Sequence, residues 1–196
     1  MNENSNDIKN GHRVLVVYDS ESGSTGEVAD FIGNMFSQNG CIVEIKNVRE
    51  TVDLTSYDRI VIGSPIRYDK WMPNARKFVK NNEEMLSKIP VAFFFTCLVL
   101  STKTDKTARQ AKGYSDKLYD IAPLVKPVSV GEFVGVLDYS KLSFFPRMIL
   151  KLYLVILRVR EGDRSIGKEG DYRDWHAIRS WVESIDFGKP EISNSS

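Results

Sequence analysis

Hydrophobic positions fall into short apolar runs separated by stretches of helical spacing, and the two patterns alternate along the chain. Arg13-Val-Leu-Val-Val-Tyr18 is a β-branched run that predicts a strand buried on both faces. From Thr25 to Asn39, residues Val28, Ile32, Met35 and Phe36 recur at helical spacing, and Gly40 supplies a stop. Cys41 to Val48 alternates Ile and Val with polar residues, the pattern of an outer strand. A third strand is predicted over Arg59 to Gly63, and Pro73 can open a helix covering Asn74 to Asn81. Val91 to Leu100 is the longest strand expected and carries Phe93, Phe94 and Phe95 in succession. Lys106 to Ile121 then reads as a helix and Val128 to Val134 as a last strand. Tyr172 to Ile185 reads as a closing helix, with Asp171 as its cap and Trp175, Ile178, Trp181 and Val182 as core anchors on one face.

Strands alternating with helices imply right-handed crossovers and a parallel sheet covered on both faces. Ligands of such sheets sit beyond the carboxyl ends of the strands. That geometry directs attention to the loops after Tyr18, Gly63 and Phe95.

At 196 residues the chain fits one domain with a sizeable core. The polar, unperiodic stretches 1–11 and 188–196 are expected to be disordered tails, leaving a folded domain over 12–187. A net charge of +1 argues against a nucleic-acid binder, and also against a carrier that finds partners through a strongly acidic surface. Two cysteines fit a reducing compartment rather than a disulfide framework. The polar N-terminus lacks the apolar centre of a signal peptide, and no run reaches the ~18 to 20 apolar residues needed to span a bilayer. A cytoplasmic protein is expected.

The loop after the first strand reads Asp19-Ser20-Glu21-Ser22-Gly23-Ser24-Thr25-Gly26. Its hydroxyls and glycines surround the start of a helix, where free N–H groups and the helix dipole attract anions. No Gly-x-x-x-x-Gly-Lys-Ser/Thr occurs, so no lysine reaches a nucleoside triphosphate, and a Gly-x-Gly-x-x-Gly fingerprint is also missing. Tyr18 stands where a receiver domain would want a second acid, and the cysteine and arginine of a low-molecular-weight phosphatase loop are lacking. The plain alternative is an ordinary Ser/Gly turn that caps a helix.

The segment Ser20-x-Ser22-Gly23-Ser24-Thr25 resembles the phosphate loop of flavodoxins. The resemblance implies a doubly wound five-stranded parallel sheet of order 2-1-3-4-5 with helices on both faces. It also implies a flavin mononucleotide (FMN) phosphate held by Ser20, Ser22, Gly23, Ser24 and Thr25 without a basic side chain. The loop Ser64-Pro65-Ile66-Arg67-Tyr68-Asp69-Lys70-Trp71 matches the first flavin loop, where Tyr68 and Trp71 can each stack on the ring or simply pack over the sheet edge. Arg67 and Lys70 are the cations that can offset a reduced flavin, and a surface salt bridge is the bland use of Arg67. Thr96-Cys97-Leu98 matches the second flavin loop, with Cys97 read as a small buried hydrophobe before a redox thiol.

Beyond these loops the chain is similar to the flavodoxin-type, quinone-dependent protoporphyrinogen IX dehydrogenases. The matching stretches are Tyr57–Gly63, Ile66–Tyr68, Ala75–Lys80, Gly131–Gly135, Phe144–Leu157 and Tyr172–Trp175. The late segment Ser143–Arg158 predicts an extra apolar helix, on which Arg147, Lys151 and Arg158 fall within about 40° of one another. The remaining broad apolar face can lie on the inner face of a membrane, cover the sheet, or join two copies. The expected function is FMN-dependent electron transfer between redox partner proteins. Its alternative is the dehydrogenase, working on a porphyrinogen and quinone pair, and a third reading is a scaffold of this fold that has lost its flavin.

Overall fold

β1 (Arg13–Tyr18) is flanked on both sides, and its four central side chains, Val14 to Val17, are fully buried. A computed structural model of the chain describes residues 11–50, 53–101, 105–141, 144–162 and 167–188. The expected tails lie outside those residues apart from Gly11 and Gly188, as do Thr102 and Ser143. β1 pairs in parallel with β2 (Ile42–Asn47) on one side and with β3 (Arg59–Arg67) on the other. β5 (Val91–Thr96) pairs in parallel with β3 and then with β6 (Ser129–Phe133). The resulting order β2-β1-β3-β5-β6 is the expected winding, once the short β4 (Lys70–Trp71) is set aside as an antiparallel partner of β3.

Two cores lie on opposite faces of this sheet because strand side chains alternate. On one face Leu15, Val17, Ile60, Ile62, Phe93 and Phe95 meet α2 (Pro73–Asn81) and α4 (Asp105–Ile121) through Ala75, Val79, Tyr114 and Leu118. On the other, Val14, Val16, Val61 and Phe94 meet α1 (Ser24–Gln38) and α6 (Trp175–Ser184) through Ile32, Phe36, Ile178 and Val182. Gly63 makes that second contact possible: a methyl group there would sit 2.0 Å from the Phe94 ring.

Several boundaries differ from the expected ones. α1 ends in a Schellman motif, with Gly40 at φ 88°, Cys41 N–H bonded to Phe36 O at 3.1 Å and Gly40 N–H to Ser37 O at 2.9 Å. The strand expected over Val91 to Leu100 stops at Thr96, where its partner β6 runs out at Phe133, and the chain turns into a 3-10 turn at Leu98–Ser101. α6 begins at Trp175 with Asp174 as its cap, accepting from Ala177 N–H, while Asp171 binds Arg173 instead. α3 (Glu83–Leu86) and the pair β7 (Val136–Leu137) with β8 (Gly170–Asp171) were not foreseen. The late apolar segment is helical as expected, forming α5 (Phe144–Glu161).

Candidate functional site

The carboxyl ends of β1, β3 and β5 bring three loops together, and the first is built around one left-handed residue. Gly23 has φ 89°, a region costly for residues with a Cβ, and occupies the N-cap position of α1. No side chain caps α1, so the first-turn N–H groups of Ser24, Thr25 and Gly26 keep the anion-attracting end of the helix open. The Ser20 hydroxyl accepts from Gly23 N–H at 3.0 Å and fixes the turn, and the Ser22 and Ser24 hydroxyls lie 3.5 Å apart at its mouth.

Thr25 is placed differently from its neighbours. It is buried, and its hydroxyl shares a 2.9 Å hydrogen bond with Thr96 at the end of β5. That bridge ties the first loop to the third and holds the two in register. Cys97 is buried just beyond, with its N–H bonded to Phe133 O at 2.8 Å. Burial pushes its thiol above the ordinary range, which keeps it protonated at neutral pH and unsuited to thiolate chemistry. Leu98 follows half-buried in the 3-10 turn.

The second loop is a hairpin. β3 continues through Ser64, Pro65, Ile66 and Arg67, and Ile66 and Arg67 pair with Trp71 and Lys70. Tyr68 (φ 49°) and Asp69 (φ 59°) form the two-residue turn, whose positive φ angles match the right-handed twist of the strands. Ser64 is fully buried, accepting from Met72 N–H at 3.0 Å, and so braces the start of α2. Trp71, read as one possible stacking ring, is a core anchor: 3% exposed, edge-on to Phe93 and Phe95, its indole N–H on Tyr114 O at 3.2 Å. Tyr68 is the reverse case, 83% exposed at the tip. Arg67 forms an ion pair with Glu21, joining the hairpin to the phosphate-type loop.

The hairpin tip is held against α4 by Asp69. Its carboxylate accepts a short hydrogen bond from the Tyr114 hydroxyl and another from Gln110 at 2.9 Å, and its carbonyl accepts from Lys117 at 2.9 Å. The Tyr114 bond is the main reason that the Asp69 carboxyl lies below its usual range. Burial and Asp69 together hold the Tyr114 hydroxyl protonated well above the usual phenol range.

Two further residues, Asp19 in the first loop and Arg173 in the stretch Tyr172–Trp175, have roles that the sequence did not reveal. Asp19 is fully buried and accepts from Ala75 N–H at 3.2 Å, capping α2 from the end of β1, with Arg49 3.8 Å from its other oxygen. Arg173 donates to Ser24 O at 3.2 Å and pairs with Glu27 and Asp171 while its guanidinium lies 4.6 Å over Trp175. Both act across long sequence separations, so no local motif announces these contacts. Among the described residues there is no cluster of side chains able to hold a metal ion.

A family of known sequences, described as Flavodoxin domain, matches residues 15–164. The protoporphyrinogen IX dehydrogenase [quinone] of Escherichia coli (strain K12) is 27% identical over 175 residues, covering 88% of this chain and 94% of that protein. The protein of the same name from Leishmania major is 30% identical over 177 residues, covering 88% and 74%. Among solved structures, a flavoprotein in complex with FMN from Lactobacillus acidophilus NCFM is similar at 18% identity and TM-score 0.49, covering 62% of this chain and 93% of that one.

Proposed function

Because the chain belongs to the flavodoxin domain family, we propose that it binds FMN across these three loops and serves as an electron-transfer protein. The observation that carries this reading is the open, hydroxyl-lined N-terminus of α1, turned by the left-handed Gly23 and locked to the end of β5 by the Thr25–Thr96 bridge. The fit is good for a monoester phosphate: first-turn N–H groups and the Ser22 and Ser24 hydroxyls stand together at the mouth of the turn, and no basic side chain is needed. Ser20 shapes the turn, Tyr68 offers an exposed face to the ring, and the half-buried Leu98 turn borders it. When bound, FMN supplies a ring that takes up and gives back electrons. The chain's own part is to orient that ring, to keep one edge open to a partner and to exclude water from the rest.

The dehydrogenase relatives and one structural feature favour a second reading, in which the electrons come from a porphyrinogen and leave to a quinone. That feature is α5, whose Ile149, Leu152, Ile156 and Val159 are exposed. Among the described residues no helix is long and apolar enough to cross a membrane, so contact through α5 would be peripheral. A homodimer through the same face is its competitor.

Titration of the flavin-free chain with FMN, followed by quenching of flavin fluorescence, tests the first reading. One FMN per chain is expected, and Ser22→Ala with Ser24→Ala is expected to weaken binding by about a hundredfold or more, since each lost charge-assisted hydrogen bond is worth about 1.5–3 kcal/mol and about 1.4 kcal/mol is tenfold. Unchanged affinity in the double variant sinks the assignment of the phosphate loop.

A further inference from the structure

On α2, Pro73, Arg76, Lys77 and Lys80 stand at positions i, i+3, i+4 and i+7, which places them on one face of the helix. On α4, Lys117, Asp120 and Ile121 repeat that spacing. The two faces border a groove of about 570 Å³, which Lys70 and Trp71 of the hairpin that carries Tyr68 also line. That size lies within the roughly 300–1,000 Å³ typical of small-molecule sites.

Five cations and one acid line the groove, in a chain whose whole net charge is +1. Such crowding disfavours the fold, because like charges one turn apart repel. Two of the five have partners: Lys80 lies 3.6 Å from Glu83, and Lys117 donates to Asp69 O at 2.9 Å. Lys70, Arg76 and Lys77 are exposed and make no ion pair with a described residue. Between the cations the lining is apolar, from Trp71, Pro73 and Ile121.

A cationic rim around an apolar lining is complementary to a molecule with the opposite arrangement. We propose that the groove binds an organic dianion with a broad apolar body, its carboxylates reached by Arg76 and Lys77 and its body resting on Pro73 and Ile121. Arg76 can meet a carboxylate with two parallel N–H groups, whereas Lys77 adds a point charge. A free phosphate would leave the apolar lining wet, and a nucleic-acid strand needs a longer basic track than one groove between two helices. The link to redox chemistry rests on the second reading above, since a porphyrinogen with two propionates has this chemistry, but occupancy of the groove does not require FMN.

The test uses deuteroporphyrin IX, which carries two propionates, and its dimethyl ester, which carries none. Each is titrated into the full chain with and without FMN, and porphyrin fluorescence reports binding. One molecule of the acid per chain is expected, with the ester bound about tenfold more weakly or worse. Arg76→Gln with Lys77→Gln is expected to weaken the acid by a similar factor while FMN binds as before, which also shows that the variant folds. Equal binding of acid and ester, or wild-type affinity in the variant, overturns the proposal. A chain that takes FMN and ignores the porphyrin sinks the groove alone. A chain that takes the porphyrin in the groove but no FMN sinks the flavin reading and keeps the groove.

Discussion

Tyr68 and Trp71 lie on one hairpin, look interchangeable in the sequence, and play opposite parts. Trp71 pairs with Ile66 in the returning strand, a register that sends its ring into the core. Tyr68 occupies the turn, in a left-handed conformation that a tyrosine adopts only at a cost. Trp71→Ala should therefore lose about 3–5 kcal/mol of stability in denaturant unfolding. Tyr68→Gly should leave stability unchanged or raise it by up to about 1 kcal/mol, because glycine relieves the strained φ, yet it should weaken FMN. A Tyr68→Gly chain that binds FMN as tightly as the parent removes Tyr68 from the site. The loop was legible as a place to look because its hydroxyls and glycines stand at a helix start beyond a strand end, although the same residues also suit an ordinary helix-capping turn. Which aromatic stays exposed was not legible, because its place in the hairpin decides it: turn for Tyr68, returning strand for Trp71.

At the scale of elements, strands and helices were legible wherever period two and period 3.6 stood apart. The hairpin escaped because Ser64-Pro65 reads as a turn, and proline is disfavoured inside sheets. It is tolerated here because β1 stops opposite Gly63, so beyond that point β3 has no neighbour on that side to miss an N–H. The hairpin's hold on α4 carries a pH dependence. The Asp69 carboxyl is depressed in the folded chain, chiefly by the Tyr114 hydroxyl and then by Gln110. Its stabilising effect is thus present above the ordinary carboxylate value of about 3.9 and is lost as pH falls through the lower folded value. FMN release on acidification should have a component below about pH 4 that Asp69→Asn abolishes, since asparagine keeps the left-handed turn and loses the charge. Identical acid release curves for parent and variant would remove Asp69 from the hinge of the site.

Taken whole, the molecule separates its surfaces: cations gather between α2 and α4, while α5 shows an apolar face beside the basic Arg147, Lys151 and Arg158. The helix was legible in the sequence, but what covers it was not, because an amphipathic pattern specifies a face and leaves the partner open. Peripheral contact predicts co-sedimentation with vesicles containing anionic phospholipid, and its loss when Leu152→Glu and Val159→Glu are combined, with FMN binding intact. If the parent chain stays in the supernatant, the membrane contact is refuted; if the double variant instead changes sedimentation from dimer to monomer, the face joins two copies. The grip of Arg173 on Ser24, across 149 positions, has a consequence for the chain as it is synthesised. A nascent chain still lacking its last stretch has neither that guanidinium nor the α6 side chains Ile178 and Val182 that close the core behind α1. The loop made almost first is therefore locked only once α6 has been made, so a chain truncated before Arg173 is expected to purify colourless, and a yellow truncated chain would refute that dependence.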